Sequence, residues 1–103
     1  MNGTEAAARF GALSDPSRLA ILRMLIRQGP AGAPAGDIAA ALGASPSRAS
    51  FHLAALARAG LVTQRRAARS VIYAADVAGL GDLVGWLIED CCAGHPDLRS
   101  CCR

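Results

Sequence analysis

Apolar positions recur at the spacing of amphipathic helices, in segments separated by glycine, proline and serine. Residues 5–13, which are rich in good helix formers, predict a first helix. A second helix is predicted over residues 16–28, because a Ser-Asp-Pro start signal precedes an apolar repeat that stops at Gly29. The Gly/Pro/Ala segment at 29–36 is expected to be a loop within a single domain.

The next two predicted helices have the arrangement of a helix-turn-helix. A short helix starts at Asp37 and ends before Gly43, and Ser45 with Pro46 then opens a longer helix that stops at Gly60. A turn of roughly three residues separates them, which is the spacing of the helix-turn-helix motif.

Two β-type runs and a last helix complete the pattern. The runs LVTQRRA and SVIYAAD, with arginine at the tip between them, predict a hairpin or wing at about 61–75. The last helix is predicted over 76–92, with Val77, Leu80, Val84, Leu87, Ile88 and Cys91 on one stripe. The tail is expected to be irregular, because Gly94 and Pro96 stop the helix.

These elements predict a mainly α fold with a small β-hairpin, a dimeric winged helix-turn-helix. One domain is expected over residues 1–103, with the wing followed by a dimerisation helix and cysteine tail at about 76–103. The dimer is predicted because the apolar stripe of the last helix is too long for one small domain to cover. No apolar segment of transmembrane length and no signal-peptide layout is seen, so we expect a cytoplasmic protein without membrane contact.

The distribution of charge favours a polyanionic partner more strongly than the net charge of +3 does. Between Asp37 and Asp76 the chain has five arginines and no acid, whereas from Asp76 to Asp97 it has five acids and no Lys or Arg. This asymmetry is typical of a nucleic-acid binder. The alternative is two differently solvated faces.

Double-stranded operator DNA would be read by the second helix of the motif. Ala49, Leu53 and Leu56 share a face that is expected to pack, and base contacts are predicted for Ser47, Arg48, Ser50, Phe51 and His52. Phosphate or minor-groove contacts are predicted at the hairpin for Arg65, Arg66 and Arg69. The structural alternatives are solvated polar residues, a solvated turn, and a His52 that fills a gap under the wing.

The run LGASPSRASFHLAALARAGLV, the arginine-tipped hairpin and the opening FGALSDPSRLAILRML resemble the arsenical-resistance repressor family, often written ArsR/SmtB. The resemblance implies a homodimer of winged helix-turn-helix subunits, joined by the first and last helices, that represses resistance operons until an inducer binds. Many arsenic-sensing members carry Cys-Val-Cys-Asp at the third helix. Here the matching residues are Pro-Ala-Gly-Asp at 34–37, so that sensing site is absent.

All four cysteines lie at the C-terminal end, as Cys91-Cys92 and Cys101-Cys102. Clustered thiols in a cytosolic protein indicate a soft-ion site or a redox switch, and adjacent cysteines suit a three-thiolate ion better than tetrahedral zinc. Some family members resemble this chain in placing a vicinal cysteine pair at the end of the last helix with another cysteine downstream, and those members bind As(III) or Sb(III) there. The resemblance implies that Cys91 and Cys92 are ligands and that Cys101 or Cys102 is the third.

Other functions stay open at this point. A thiol redox switch on the same scaffold would use a reversible disulfide between the helix-end pair and the tail pair. Cys91 could also be a buried helix residue and the tail cysteines incidental. An enzyme is not expected, because no nucleophile, base and orienting partner recur at a suggestive spacing. A plain metal-binding protein would not need the basic wing.

Overall fold

The computed structural model describes residues 1–101, in which helices surround a small antiparallel sheet. The elements are α1 (Gly3–Leu13), α2 (Pro16–Gln28), β1 (Ala33–Pro34), α3 (Ala35–Leu42), α4 (Pro46–Arg58), β2 (Val62–Ala67), β3 (Ser70–Ala75), α5 (Val77–Trp86) and α6 (Pro96–Cys101). The winged helix-turn-helix fold predicted from the sequence is confirmed. Within the described part of the chain, no helix has the length and apolarity required to cross a bilayer.

Side-chain caps define where the helices of the DNA-binding half begin. The Asp15 carboxylate accepts hydrogen bonds from two backbone N–H groups at the start of α2, and the Ser45 hydroxyl accepts one from the Arg48 N–H at the start of α4. These groups satisfy donors that a helix leaves unpaired in its first turn. At the end of α3, Gly43 is left-handed, with φ of 63°. Both predicted helix starts and the short turn between α3 and α4 are therefore confirmed.

The wing is a tight hairpin with one additional strand. Strands β2 and β3 pair in a register that ends at Ala67 opposite Ser70, leaving a two-residue turn. The predicted 29–36 loop holds a 3-10 turn at Gly29–Ala31 and then β1, which pairs with β3. Gly32 is left-handed, and a Cβ there would overlap the Tyr73 carbonyl, so this position requires glycine.

The core is built from the inward faces of the helices and the first residues of the wing. Its fully buried large side chains are Ile21, Leu25, Ile38, Leu53, Leu56, Leu61 and Leu83. Leu53 and Leu56 anchor α4 from within, together with Ala49. The predicted packing face of α4 is thus confirmed, and the opposite face of this helix is turned toward solvent.

The last helix has one buried residue that the prediction missed, and the subunit leaves part of the predicted stripe uncovered, as expected of a stripe too long for one domain to cover. Leu83, absent from the predicted stripe, is fully buried, whereas Val77 and Leu87 of that stripe are 67% and 38% exposed. The α-helix ends at Trp86 and continues as one π-helical turn, Leu87–Cys91. Successive side chains of a helix point in different directions, so Leu83 packs on the core while Val77 and Leu87 face away from it and are left for a partner.

The tail is helical rather than irregular, which corrects the sequence prediction. Gly94 and Pro96 do end the preceding helix, but Pro96 then occupies the first position of α6. Proline has no N–H to lose there, so it starts a helix as readily as it stops one. Arg99 of α6 forms a two-pronged ion pair with Glu89, with Nε donating to Oε1 at 3.0 Å. The tail therefore folds back toward the end of α5.

Candidate nucleic-acid interface and thiol pair

The first turn of α4 presents short polar and cationic side chains to solvent. Ser47, Arg48 and Ser50 are exposed, and the cap hydrogen bond from the Arg48 N–H to the Ser45 hydroxyl, 3.2 Å long, fixes the backbone of this turn. Small side chains allow a helix to approach base edges, and a guanidinium can donate two hydrogen bonds to guanine. The geometry therefore leaves this turn open to the major groove.

Phe51 extends the exposed face of α4, with 62% of its side chain accessible. A thymine methyl group is one apolar surface that this exposed ring could contact. The Arg18 guanidinium of α2 lies over the ring, 5.7 Å from its centroid. Its partner inside the protein is thus a cation from the neighbouring helix.

His52 points inward rather than along the exposed face, with 7% of its surface accessible. Its Nδ1 accepts a hydrogen bond of 3.1 Å from Nε of Arg18. The histidine consequently packs against α2, and not beneath the wing. A direct base contact by His52 stays a prediction, and its described partner is Arg18.

Arg18 is the residue of this region that sequence reasoning missed. It lies 34 positions before His52, so no local spacing connects the two. The hydrogen bonds that cap α2 lead from Arg18 and Ser17 to Asp15. Desolvation raises the pKa of the Asp15 carboxyl, but hydrogen bonds from the backbone N–H groups of Arg18 and Ser17, with the charge of the Arg18 guanidinium, leave this pKa below its usual value.

The three wing arginines occupy different environments. Arg65 donates from Nη2 to the Ala31 carbonyl at 3.0 Å, which ties β2 to the turn before β1. Arg66 sits opposite Val71, and Arg69 lies in the hairpin turn after Ala68, whose φ is 53°. Within residues 1–101, neither Arg66 nor Arg69 hydrogen bonds to a protein acceptor. The hairpin end thus carries two cations that are open to phosphate.

The two helix-end cysteines are neighbours in the chain. Cys91 is exposed at the end of the π-helical turn, Cys92 is half-buried, and both are free thiols. A hydrogen bond with Cys91, desolvation and the charge of the Cys91 thiolate raise the pKa of the Cys92 thiol. This pair can offer two sulfur ligands to a soft ion.

The predicted third ligand falls at the limit of the structure. Residue 101 is the last of α6, and Cys102 lies outside the described residues, so the predicted roles of Cys101 and Cys102 stay predictions. Among the described residues, no group of three or more His, Cys, Asp or Glu side chains is placed to hold a metal. The described part therefore supplies two thiols of the three predicted.

Residues 13–65 match a helix-turn-helix domain family, and they cover α2 through the first part of the wing. The transcriptional regulator NmtR of Mycobacterium tuberculosis is 44% identical over 69 residues, which are 67% of this chain and 55% of NmtR. The chain thus spans about half the length of that relative. An ArsR-like transcriptional regulator from Rhodococcus sp. RHA1 superposes with a TM-score of 0.77 at 32% identity, covering 94% of this chain and 89% of the other.

The chain belongs to the ArsR family of winged helix-turn-helix transcriptional regulators. A further structure is the homodimeric DNA-binding domain of a possible ArsR-family regulator from Mycobacterium bovis. It has a TM-score of 0.69 at 30% identity, covering 89% of this ArsR-family chain and 82% of its own. NmtR is a transcriptional regulator, and the Rhodococcus protein is an ArsR-like transcriptional regulator. The family predicted from the α3–α4 motif and the wing is confirmed.

Proposed function

We propose that this ArsR-family protein is a metalloid-responsive repressor. As a homodimer it binds operator DNA through α4 and the wing, and it is released when As(III) or Sb(III) binds the C-terminal thiols. The observation that carries the proposal is the adjacent pair of free thiols, Cys91 and Cys92. It lies at the end of α5, next to the exposed apolar residues of that helix. A ligand at the pair is therefore placed to act on how two subunits meet.

DNA binding is supported by the exposed first turn of α4 and the cations of the hairpin turn. Arg48 is the candidate for base readout, because its side chain is exposed beside short serines. Arg66 and Arg69 are candidates for phosphate, which positions a protein without reading sequence. The regulators that this chain resembles carry the same fold over nearly its whole length.

A dimer is supported by the apolar face of α5 that the core does not cover. Val77, Val84 and Leu87 are exposed along it, and an isolated protein seldom leaves such a row open. The M. bovis neighbour is homodimeric. A second copy of this chain, related by a twofold axis, is the occupant that we propose.

The thiol pair suits a trivalent metalloid in its donor chemistry. Sulfur is the soft ligand that thiophilic ions select, and the pair needs one further thiol, from Cys101 or Cys102, for three-coordination. In binding arsenous acid, each thiol replaces one hydroxide on arsenic, and that hydroxide leaves as water with the thiol proton. Three thiols and one As(OH)3 therefore give three As–S bonds and three waters.

Release of DNA follows if the ion binds the free dimer more tightly than the DNA-bound dimer. A ligand shifts an equilibrium only by its differential affinity for the two states. An ion bound by a third thiolate from the tail would fix α6, which already folds back toward the end of α5, to that helix end beside the proposed subunit contact. By linkage, the ion then weakens DNA binding by the same factor by which DNA weakens ion binding.

The test is arsenite titration of the protein on labelled DNA from upstream of its own gene, in a phosphine reductant that contains no thiol. We expect wild-type protein to dissociate, and the Cys91→Ser, Cys92→Ser double variant to bind DNA and stay bound. The Cys101→Ser and Cys102→Ser single variants are expected to respond in part and their double variant not at all. Release of the Cys91→Ser, Cys92→Ser protein at the wild-type arsenite concentration would show that the site is wrong.

A thiol redox switch is the second candidate, and the folded-back tail favours it. The Glu89–Arg99 ion pair holds α6, which ends at residue 101, against the helix end that carries Cys91 and Cys92. A disulfide would form by loss of two electrons and two protons to an oxidant such as diamide. The redox function is favoured over the metalloid-responsive one if diamide without phosphine releases the protein from DNA and arsenite in the presence of phosphine does not.

A further inference from the structure

Arg18 connects the scaffold of the protein to the helix predicted to read DNA. It lies in the first turn of α2, which precedes the helix-turn-helix motif. Its Nε donates to Nδ1 of His52, and its guanidinium lies over Phe51. Two adjacent residues of α4 are thus held by one side chain of another helix.

The hydrogen bond determines the state of the imidazole. Nδ1 can accept from Arg18 only if it carries no proton, so His52 is neutral with its proton on Nε2. The ring is nearly buried and meets the edge of Phe51, with centroids 5.7 Å apart and planes at 66°. Arg18, His52 and Phe51 consequently form one packed unit, in which the position of each ring depends on the cation.

Only Phe51 of this unit reaches the surface that faces DNA. Its ring is 62% exposed, and without the guanidinium behind it the side chain would have other rotamers available. Arg18 is itself oriented by its helix, because its backbone N–H is fixed on the Asp15 cap at 3.3 Å. Side chains that read bases must be held in place before binding to discriminate between them.

We propose that Arg18 is a positioning residue for sequence recognition: through His52 and Phe51 it holds the reading face of α4 in the conformation that discriminates between DNA sequences. The inference rests on the proposed DNA binding. This role of Arg18 differs from that of a phosphate-binding arginine, because Arg18 would affect the preference for one DNA sequence over another rather than the affinity for all DNA.

The test compares variants on two duplexes of equal length, one selected by the wild-type protein from a randomised pool and one of random sequence. Arg18→Ala is expected to reduce the ratio of the two affinities about tenfold, which is the usual scale of one base contact. Arg23→Ala removes an exposed arginine from the same helix and is expected to leave the ratio unchanged. Equal weakening on both duplexes with a smaller salt slope would make Arg18 a phosphate contact and overturn the inference.

Variants of His52 separate positioning from stability and from direct contact. His52→Leu keeps apolar bulk but removes the hydrogen-bond acceptor. We expect it to reduce the ratio of the two DNA affinities as much as Arg18→Ala does. The double variant should reduce this ratio no more than either single variant. His52→Asn places an oxygen near the position of Nδ1 and is expected to retain the ratio even if its melting temperature falls. Additive losses in the double variant would overturn the inference.

The nitrogen resonances of the His52 ring test the contact itself in the full-length protein. In the wild type, the Nδ1 resonance should be that of a hydrogen-bonded, unprotonated nitrogen, and it should shift in Arg18→Ala. An unchanged spectrum would contradict the inference. If the wild-type protein selects no sequence from the pool, the proposed function fails. If it selects a sequence and Arg18→Ala leaves the ratio of affinities unaltered, only the inferred role of Arg18 is refuted.

Discussion

The arginines of α4 and the wing differ in whether the protein itself hydrogen bonds their side chains. Arg48 extends from a capped helix start and is exposed, whereas Arg65 is tied to the Ala31 carbonyl. A cation that the protein already holds is less available to DNA than one that it leaves open. Hydrogen bonding within the protein, more than charge or exposure, therefore distinguishes the roles of the arginines.

Arg48 and Arg66 should differ in how their removal affects DNA binding. We expect Arg48→Ala to reduce the preference for operator over random DNA by about 1–3 kcal/mol, because base contacts carry the discrimination. Arg66→Ala should weaken all DNA alike and lower the slope of log affinity against log salt by about one for each phosphate that the arginine neutralises. Fluorescence anisotropy at several salt concentrations measures both. An equal loss on both DNAs for Arg48→Ala would contradict base readout.

Reactivity of the thiol pair with an alkylating agent tests the contact between its two sulfurs. Because Cys91 raises the pKa of the Cys92 thiol, Cys92 stays protonated to higher pH, and the thiolate is the reactive form. We expect the pH midpoint of Cys92 alkylation, followed by peptide mass spectrometry, to move to lower pH in Cys91→Ala. An identical midpoint in the variant would mean that the sulfurs do not interact.

At the scale of elements, the sequence predicts the DNA-binding half well and the C-terminal part less well. Helices α2 and α4 start at local signals, a capping side chain followed by proline, and those signals are legible without tertiary structure. Strand β1 has no such signal, because its two residues become a strand only by pairing with β3. The contact of Arg18 with His52 is equally nonlocal and could not be predicted from spacing.

Helix α5 shows why its buried residues were difficult to predict. A stripe of apolar residues indicates a covered face, but it does not distinguish cover by the core from cover by a partner. Leu83 packs on the core, while Val84 and Leu87 extend the predicted stripe toward solvent. The prediction therefore identified the helix and its apolar stripe, but it missed Leu83, which packs on the core.

Two truncations in α5 should separate the core from the subunit contact. Leu83→Ala removes a fully buried side chain, and we expect the free energy of unfolding to fall by about 2–5 kcal/mol. Leu87→Ala, at an exposed position, should leave the subunit's own packing intact but raise the concentration at which dimers dissociate. Urea unfolding and sedimentation at several concentrations measure the two effects. A monomeric wild type at micromolar concentration would contradict the dimer.

The whole molecule places its predicted DNA surface and its thiols on different elements. The reading face belongs to α4 and the wing, whereas Cys91 and Cys92 lie where α5 ends and the tail folds back. We propose that the thiols act through the arrangement of the two subunits rather than by blocking DNA directly. Coupling between separate sites is a free energy shared by both ligands.

The most direct test of this coupling is the arsenite affinity of the protein measured with and without saturating operator DNA, under phosphine reductant. The proposed function predicts that DNA weakens arsenite binding by the same factor by which arsenite weakens DNA binding. It also predicts that replacing Cys91 and Cys92 by serine abolishes this linkage while DNA binding persists. Equal arsenite affinity in the presence and absence of DNA would contradict it.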